Sequence, residues 1–316
     1  MKPKLGVYIP MYGGWLRNVA EAEEKPSFSY AAKAALLAEE AGIDSVWVPD
    51  HMLNPMKGED QPSLEAWTTL TALAATTKRI ELFHTTLCQS FRFPAVLAKM
   101  VTTIDDVSNG RFRFALGAGW FKREFEAYGV PWEEHDERIE RSREQVKILK
   151  AFWTQPRVNH EGKFYKIKDG ILEPKTVQKP WPPMWWGGES EPSRELVADE
   201  MDGWLMRGST IQAAEQKIED MKKRLAKRGR KRIMYAVPGI VFLGETDKAA
   251  QEAVKRTIGE AVLLDNVQAT GFIGCGETIA ERIGKLGDLG VDYVILQITP
   301  ALKMMQDLIE IVLPLL

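Results

Sequence analysis

Short apolar runs alternate with longer amphipathic stretches along almost the whole chain. Leu5 to Pro10, Ile43 to Val48, Arg79 to Leu87 and Arg111 to Leu116 each read as a buried strand. Apolar runs of this length bounded by turn residues fit a parallel sheet covered on both faces. Helical patterns separate them at Ser29 to Glu40, Pro62 to Thr77 and Pro94 to Val107. Asp136 to Trp153 is strongly periodic, with Arg and Glu on its outer side. Thr154 to Pro183 breaks the rhythm and reads as an insertion with a hairpin around His160-Glu-Gly162.

The alternation then resumes. Met184 to Gly187 is a strand followed by a helix to Glu200, and Gly203 to Met206 a strand followed by a helix from Thr210 to Arg228. Arg232 to Leu243 leads into a helix over Thr246 to Glu260. After a second interruption come a helix at Glu277 to Leu289, a strand at Val291 to Ile298 and a terminal helix from Ala301 to Val312. Eight strands, each followed by a helix, predict an α/β fold of the (β/α)8 TIM-barrel type, one domain over residues 1–316, with insertions after strands 4 and 7. A doubly wound sheet would carry Gly-x-Gly-x-x-Gly after its first strand, and Gly6, Gly13 and Gly14 do not supply that spacing. Ligand chemistry in a barrel sits where strand C-termini open into loops, so the long loops after strands one, two, four and seven are the place to look.

Composition narrows the function. A net charge of -2 leaves no bulk basic surface for nucleic acid, and Lys227 to Arg232 reads as a solvated helix end and loop. Cys88 and Cys275 make neither a disulfide framework nor a metal spacing. No apolar run approaches the roughly 20 residues of a membrane span, and Met1 to Val7 runs straight into a strand without a signal-like segment, so a cytoplasmic location is expected. His-Glu-x-x-His, Gly-x-Ser-x-Gly and Walker patterns are all missing. An enzyme without nucleophile or metal signatures borrows its chemistry from a cofactor.

The candidate seat for one is Met184-Trp-Trp186 followed by Gly187, Gly188, Glu189 and Ser190, with Pro192 early in the next helix. Glycines admit close backbone approach, and a helix N-terminus offers free N–H groups to a phosphate. The same residues also suit a plain strand-to-helix turn, and Glu189 would oppose a phosphate. Four histidines can be weighed singly. His51, beside Asp50, follows strand two; His84 lies in strand three, either in the mouth or in the core; His135 opens the long helix; His160 belongs to the insertion. Trp15, Trp120, Phe121, Trp185, Trp186 and Trp204 fall at strand ends or in mouth loops. They suit an apolar cavity for a flat cofactor and a weakly polar substrate, or packing between insertions and rim.

Together, Asp105 to Trp120, Glu124-Phe125 with Gly129, His135-Asp-Glu-Arg138, Leu172-Glu-Pro-Lys, Pro182 to Gly188 and Asp202-Gly203-Trp204 resemble the bacterial luciferase-like flavin monooxygenases. Within that superfamily, Gly119 to Phe125 followed by His135 to Arg138 is similar to the two-component enzymes acting on dimethyl sulfone and alkanesulfonates. The resemblance implies a barrel that forms homodimers or homotetramers. It implies reduced FMN supplied by a separate NAD(P)H-dependent flavin reductase, O2 as co-substrate and a small organic substrate. It also implies that Gly187, Gly188, Glu189 and Ser190 hold the flavin phosphate, with Thr86 and Cys88 beside the ring. His84 and His135 are the expected hydrogen-bond partners of the flavin, and His51 the expected acid or base for the substrate.

Departures point away from alkanesulfonates. Ile139 replaces a phosphate-binding tyrosine, Ser63 a cysteine, and Pro238 and Ile240 an arginine and a histidine, while Leu264 to Gly276 shortens an arginine-bearing lid. Without those cations a neutral or weakly polar substrate is expected. Asp50-His51 resembles relatives that use the 8-hydroxy-5-deazaflavin coenzyme, so the alternatives are hydride transfer with that coenzyme and a barrel that binds flavin without turnover.

Overall fold

The computed structural model describes residues 2–14, 25–258 and 262–316. Eight parallel strands form the barrel: β1 (Lys4–Tyr8), β2 (Ser45–Val48), β3 (Glu81–His84), β4 (Phe112–Gly117), β5 (Met184–Gly187), β6 (Gly203–Leu205), β7 (Met234–Leu243) and β8 (Tyr293–Gln297). Each pairs with the next, and β8 pairs back onto β1 with Lys4 opposite Tyr293. Closure leaves no sheet edge, and helices cover the outside, which is why the strands are apolar on both faces.

The helices are α1 (Phe28–Glu40), α2 (Ala66–Thr76), α3 (Pro94–Val107), α4 (Lys122–Ala127), α5 (His135–Thr154), α6 (Glu191–Glu200), α7 (Ile211–Ala226), α8 (Asp247–Ile258), α9 (Val262–Thr270), α10 (Gly276–Asp288) and α11 (Ala301–Asp307). Local chemistry sets several starts: Ser27, Glu65, Ser190 and Thr210 each cap a helix through the side chain, and Pro94 opens α3. None of the helices among the described residues is long and apolar enough to cross a membrane.

The barrel interior is filled by rings. Trp47 stacks on Phe83 at 3.8 Å, and Trp185 and Tyr293 meet Phe83 edge-on at 5.5 and 5.3 Å. A side chain at Gly203 would collide with the Trp185 indole, so the small residue in β6 makes room for the large one in β5.

Three readings of the chain change. The run from Arg79 to Leu87 is not one strand; it breaks after His84, and Leu87–Cys88 pairs separately with β4. The short elements α4, α9 and Phe272–Gly274, which pairs with the outer end of β7, carry too few residues for a periodic signal. The insertion also divides. The hairpin Val158–Glu161 with Lys166–Gly170 forms around His160 and Gly162 and runs back along α5, where Lys163 lies 2.9 Å from Glu140 and Tyr165 meets Phe93 at the head of α3 at 5.5 Å. The end of the insertion returns to the start of β4, where Gln178 bonds both Asp105 oxygens, at 2.9 and 2.6 Å, and accepts from Arg113 at 2.9 Å. The segment directly after β4 is α4 and its flanking loops. Trp15 and Glu260 lie outside the described residues.

Candidate active site

A cavity of about 920 Å³ opens at the C-terminal end of the barrel. Tyr8, Asp50, Thr86, Gly117, Gly187 and Leu205, from six successive strand ends, form its floor and walls. Its size lies within the range of about 300–1,000 Å³ usual for small-molecule sites.

One corner is built from the glycines and serines at the start of α6. Gly188 has φ +146, and a side chain there would come within 2.8 Å of Ser193 Oγ. Ser190 caps α6 by accepting from Ser193 N at 3.3 Å, and its hydroxyl lies 3.0 Å from that of Ser193. Both serines face the cavity. Glu189 lines the cavity too, but its carboxylate accepts from Arg207 N at 2.9 Å and from Lys217 Nζ at 2.6 Å. That pairing removes the objection its charge raised. Behind the loop, Trp204 Nε1 donates to Gly188 O at 2.9 Å.

Arg138 lines the same cavity. Its guanidinium lies over the Trp132 ring at 4.0 Å and donates to Glu133 O, and among the described residues no carboxylate is within ion-pairing distance. Burial lowers its pKa, the response of a cation lacking a counter-charge. Arg138 shares the inward stripe of α5 with Ser142, Gln145 and Leu149, so helical spacing alone could have drawn attention to it.

Thr86 lies in the mouth because its neighbours are glycine. A side chain at Gly117 would collide with Thr86 Oγ1, and one at Gly187 would reach Thr86 Cγ2 at 2.6 Å. The Thr85–Thr86 peptide is cis. Cys88 lines the wall nearby, with its N–H donating to Asp50 Oδ2 at 2.8 Å. Burial, with Asp50 adding, pushes its thiol up to about 12, so it stays protonated. Asp50 is held in turn by Arg92 at 2.5 and 3.0 Å, and Arg92 reaches Glu65 at 2.6 Å. Burial alone would lower Arg92; the two carboxylates outweigh it and raise it.

The histidines separate. His51 is on the wall, and its Nδ1 lies 2.5 Å from Glu124 Oε1, while the other Glu124 oxygen accepts from Met52 N. A carboxylate only accepts, so Nδ1 carries the hydrogen and Nε2 is left to act. Glu124 is only 2% exposed and was missed among the site residues; its signal was a carboxylate between Phe121 and Phe125. His135 lines the rim, half exposed, with Nδ1 3.0 Å from Asp136 Oδ1.

His84 is elsewhere. It is fully buried, stacked on Trp67 of α2 at 5.1 Å, on the outer face of β3. Burial, with the Arg92 charge adding, pushes its pKa down to about 3. Strand alternation explains the placement: Phe83 points into the barrel, so His84 points out. The rings separate as well. Trp120 and Phe121, stacked at 5.4 Å, line the mouth, whereas Trp185, Trp186 and Trp204 are fully buried in or behind the barrel wall.

A barrel with its open end built from these groups defines a class. Residues 11–262 match the luciferase-like monooxygenase family model, and the chain belongs to that family. It is 29% identical to an FMNH2-dependent dimethylsulfone monooxygenase from Pseudomonas putida, over 92% of this chain and 89% of that one. The fold is that of the long-chain alkane monooxygenase LadA (TM-score 0.85, 17% identity, covering 99% of this chain and 91% of that one). It is equally that of an F420-dependent secondary alcohol dehydrogenase (TM-score 0.80, 19% identity, covering 100% and 99%). The barrel itself therefore does not choose between a flavin and the deazaflavin F420.

Proposed function

We propose that the protein is an FMNH2-dependent monooxygenase that oxygenates a small organic substrate with O2. The observation that carries this reading is the anion corner: Ser190, Ser193 and the first turn of α6 on one wall of the cavity, with Arg138, which has no ion-pair partner among the described residues, lining the same cavity. These residues fit a flavin phosphate. When bound, reduced FMN supplies the activation of O2 that no side chain can perform.

The chain supplies position and protection. Arg138, Ser190 and Ser193 line the cavity where they would hold the phosphate, and Thr86 and Cys88 would flank the ring. Cys88 acts as a neutral wall, since its thiol remains protonated. Trp120 and Phe121 shield the mouth from water. Their segment is tied to the loop after β2 by Tyr128 OH to Met52 O at 3.1 Å and by Arg123 to Glu59 at 2.8 Å. His51, oriented by Glu124, holds or moves a proton at Nε2. The reading includes a single barrel domain that works in the cytoplasm as a homodimer or homotetramer, fed by an NAD(P)H-dependent flavin reductase.

The test is an anaerobic titration with reduced FMN and, separately, with reduced deazaflavin coenzyme, followed by oxygen. Selective FMNH2 binding and an oxygen-dependent absorbance transient are expected. Selective deazaflavin binding with no such transient would sink the reading. One observation favours that second outcome: the His51–Glu124 pair, with Glu124 buried and His51 facing the cavity, is also what a hydride-transferring dehydrogenase needs to take a proton from an alcohol.

A further inference from the structure

Asp50 at the end of β2, Glu65 before α2 and Glu124 in α4 bring three carboxylates to one side of the cavity. Among the described residues two basic groups share them. His51 takes Glu124, with Nδ1 2.5 Å from Oε1. Arg92 takes the other two: its fork meets both Asp50 oxygens, at 2.5 and 3.0 Å, and reaches Glu65 at 2.6 Å. The Arg92 side chain is 8% exposed and Asp50 is buried, so this pair is shut off from solvent.

Asp50 does more than match a charge. Its Oδ2 also accepts from Cys88 N at 2.8 Å, so one carboxylate ties the segment carrying His51 to the one carrying Cys88. The backbone beyond His51 is fixed separately, because Met52 N donates to the second Glu124 oxygen. Before His51 the side-chain anchor is Asp50. Arg92 is held from behind in turn, its carbonyl accepting from Gln145 Nε2 of α5 at 3.0 Å. The other groups around the imidazole are uncharged: the Trp120, Tyr12 and Phe121 rings lie 5.4, 5.9 and 6.2 Å away. Burial, then Asp50 and Glu124, raise the Tyr12 pKa, so its hydroxyl stays protonated.

We propose that Arg92 is a positioning residue for His51: by gripping Asp50 and Glu65 it anchors the backbone that carries the imidazole and reserves Glu124 for Nδ1. This deepens, and rests on, the reading of His51 as the group that holds or moves a proton. Without the guanidinium, the buried Asp50 carboxylate would need another counter-charge, and the imidazole of the next residue is the basic group at hand. Drawn to Asp50, or held doubly protonated between two carboxylates, His51 would no longer offer a bare Nε2. Shape matters as well as charge. A planar fork meets two Asp50 oxygens and Glu65 at once, which a lysine ammonium does not reproduce.

The test is nitrogen and proton NMR of the imidazoles across a pH titration of the protein without FMN, with His51 assigned by its loss in His51→Gln. His160, paired with Glu144 one residue before Gln145, is the internal control, because a general loosening of α5 would move it too. Arg92→Met should raise the proton affinity of His51 by about tenfold or more and leave His160 unchanged, and Arg92→Lys should recover part of the difference. Asp50→Asn combined with Arg92→Met removes both charges and covers the case in which the single variant does not fold. The double variant should return the proton affinity to within about twofold of the unmodified protein, yet exchange its Nδ1 proton with solvent about tenfold faster, since the anchor is gone. An unchanged His51 signal in the variants that fold, or equal shifts at His51 and His160, overturns the proposal. Because the signals are read without cofactor, failure of FMN to bind would sink the cofactor reading alone.

Discussion

At the N-terminal end of the barrel, Glu81 accepts from Lys4 at 3.0 Å, from Arg113 at 2.8 Å and from Tyr293 OH at 2.6 Å. Tyr293 is itself part of the ring cluster with Trp47, Phe83 and Trp185, and burial, then Glu81, raise its pKa. Polar groups there satisfy one another. At the opposite end the carboxylates lining the cavity also have partners, yet buried Arg138 has no ion pair among the described residues. One end matches its polar groups to one another, and the other keeps a buried cation without an ion pair. In a barrel this separation lets stability and chemistry change independently.

The largest effect that can test the separation comes from the ring cluster. Trp185→Ala should cost about 3–5 kcal/mol of stability, the usual range for emptying a large buried ring site. Denaturant unfolding reads it. Flavin affinity of the remaining folded protein should not move, although Trp186 and Gly187 are the next residues along β5. A matching loss of flavin affinity would show that the two ends are coupled.

Arg138→Met addresses the mouth. Affinity for FMN should fall by about ten- to a hundredfold while that for riboflavin, which lacks the phosphate, stays the same. Because burial disfavours the Arg138 charge in the unliganded fold, the same change should leave melting temperature level or higher. A destabilised variant would mean that Arg138 serves the fold.

His84 belongs, by this division, to the fold. Its folded pKa is about 3, below the unfolded value near 6.5, so the unfolded chain takes up a proton that the native state refuses. The contribution is therefore fully present above about pH 6.5 and is lost as pH falls towards 3, reaching about 2 kcal/mol by pH 5. His84→Phe keeps a ring against Trp67 and should flatten the acid limb of the stability curve by that amount. Turnover near neutral pH should be unchanged.

Period and punctuation made the barrel legible. Met184–Gly187 stands as a strand where it was expected, and Pro94 and Ser190 open their helices. The corner at Gly187 to Ser190 was also readable, because glycine, serine and proline act locally there. What stayed hidden depends on contacts far apart in sequence. Glu189 has its charge matched only because Lys217, 28 residues further on in α7, reaches it. Glu124 acquires a role only when α4 reaches His51, 73 residues earlier. His84 was misjudged for a different reason: in a strand buried on both faces, composition does not say which face a residue takes.

The smallest effect is the sharpest check on how the lower end works. Lys4 is half exposed, at 48%, and contributes one of three donors to Glu81. An exposed ammonium at a barrel rim is screened by water and salt, so Lys4→Met should change stability by no more than about 1 kcal/mol. The carboxylate keeps Arg113 and Tyr293, both more buried than the lysine. Thermal melts at low and high salt measure it, with the small difference shrinking further as salt rises. A loss of several kcal/mol would mean that the three donors act as one unit, and that the completeness of this end depends on its most exposed member.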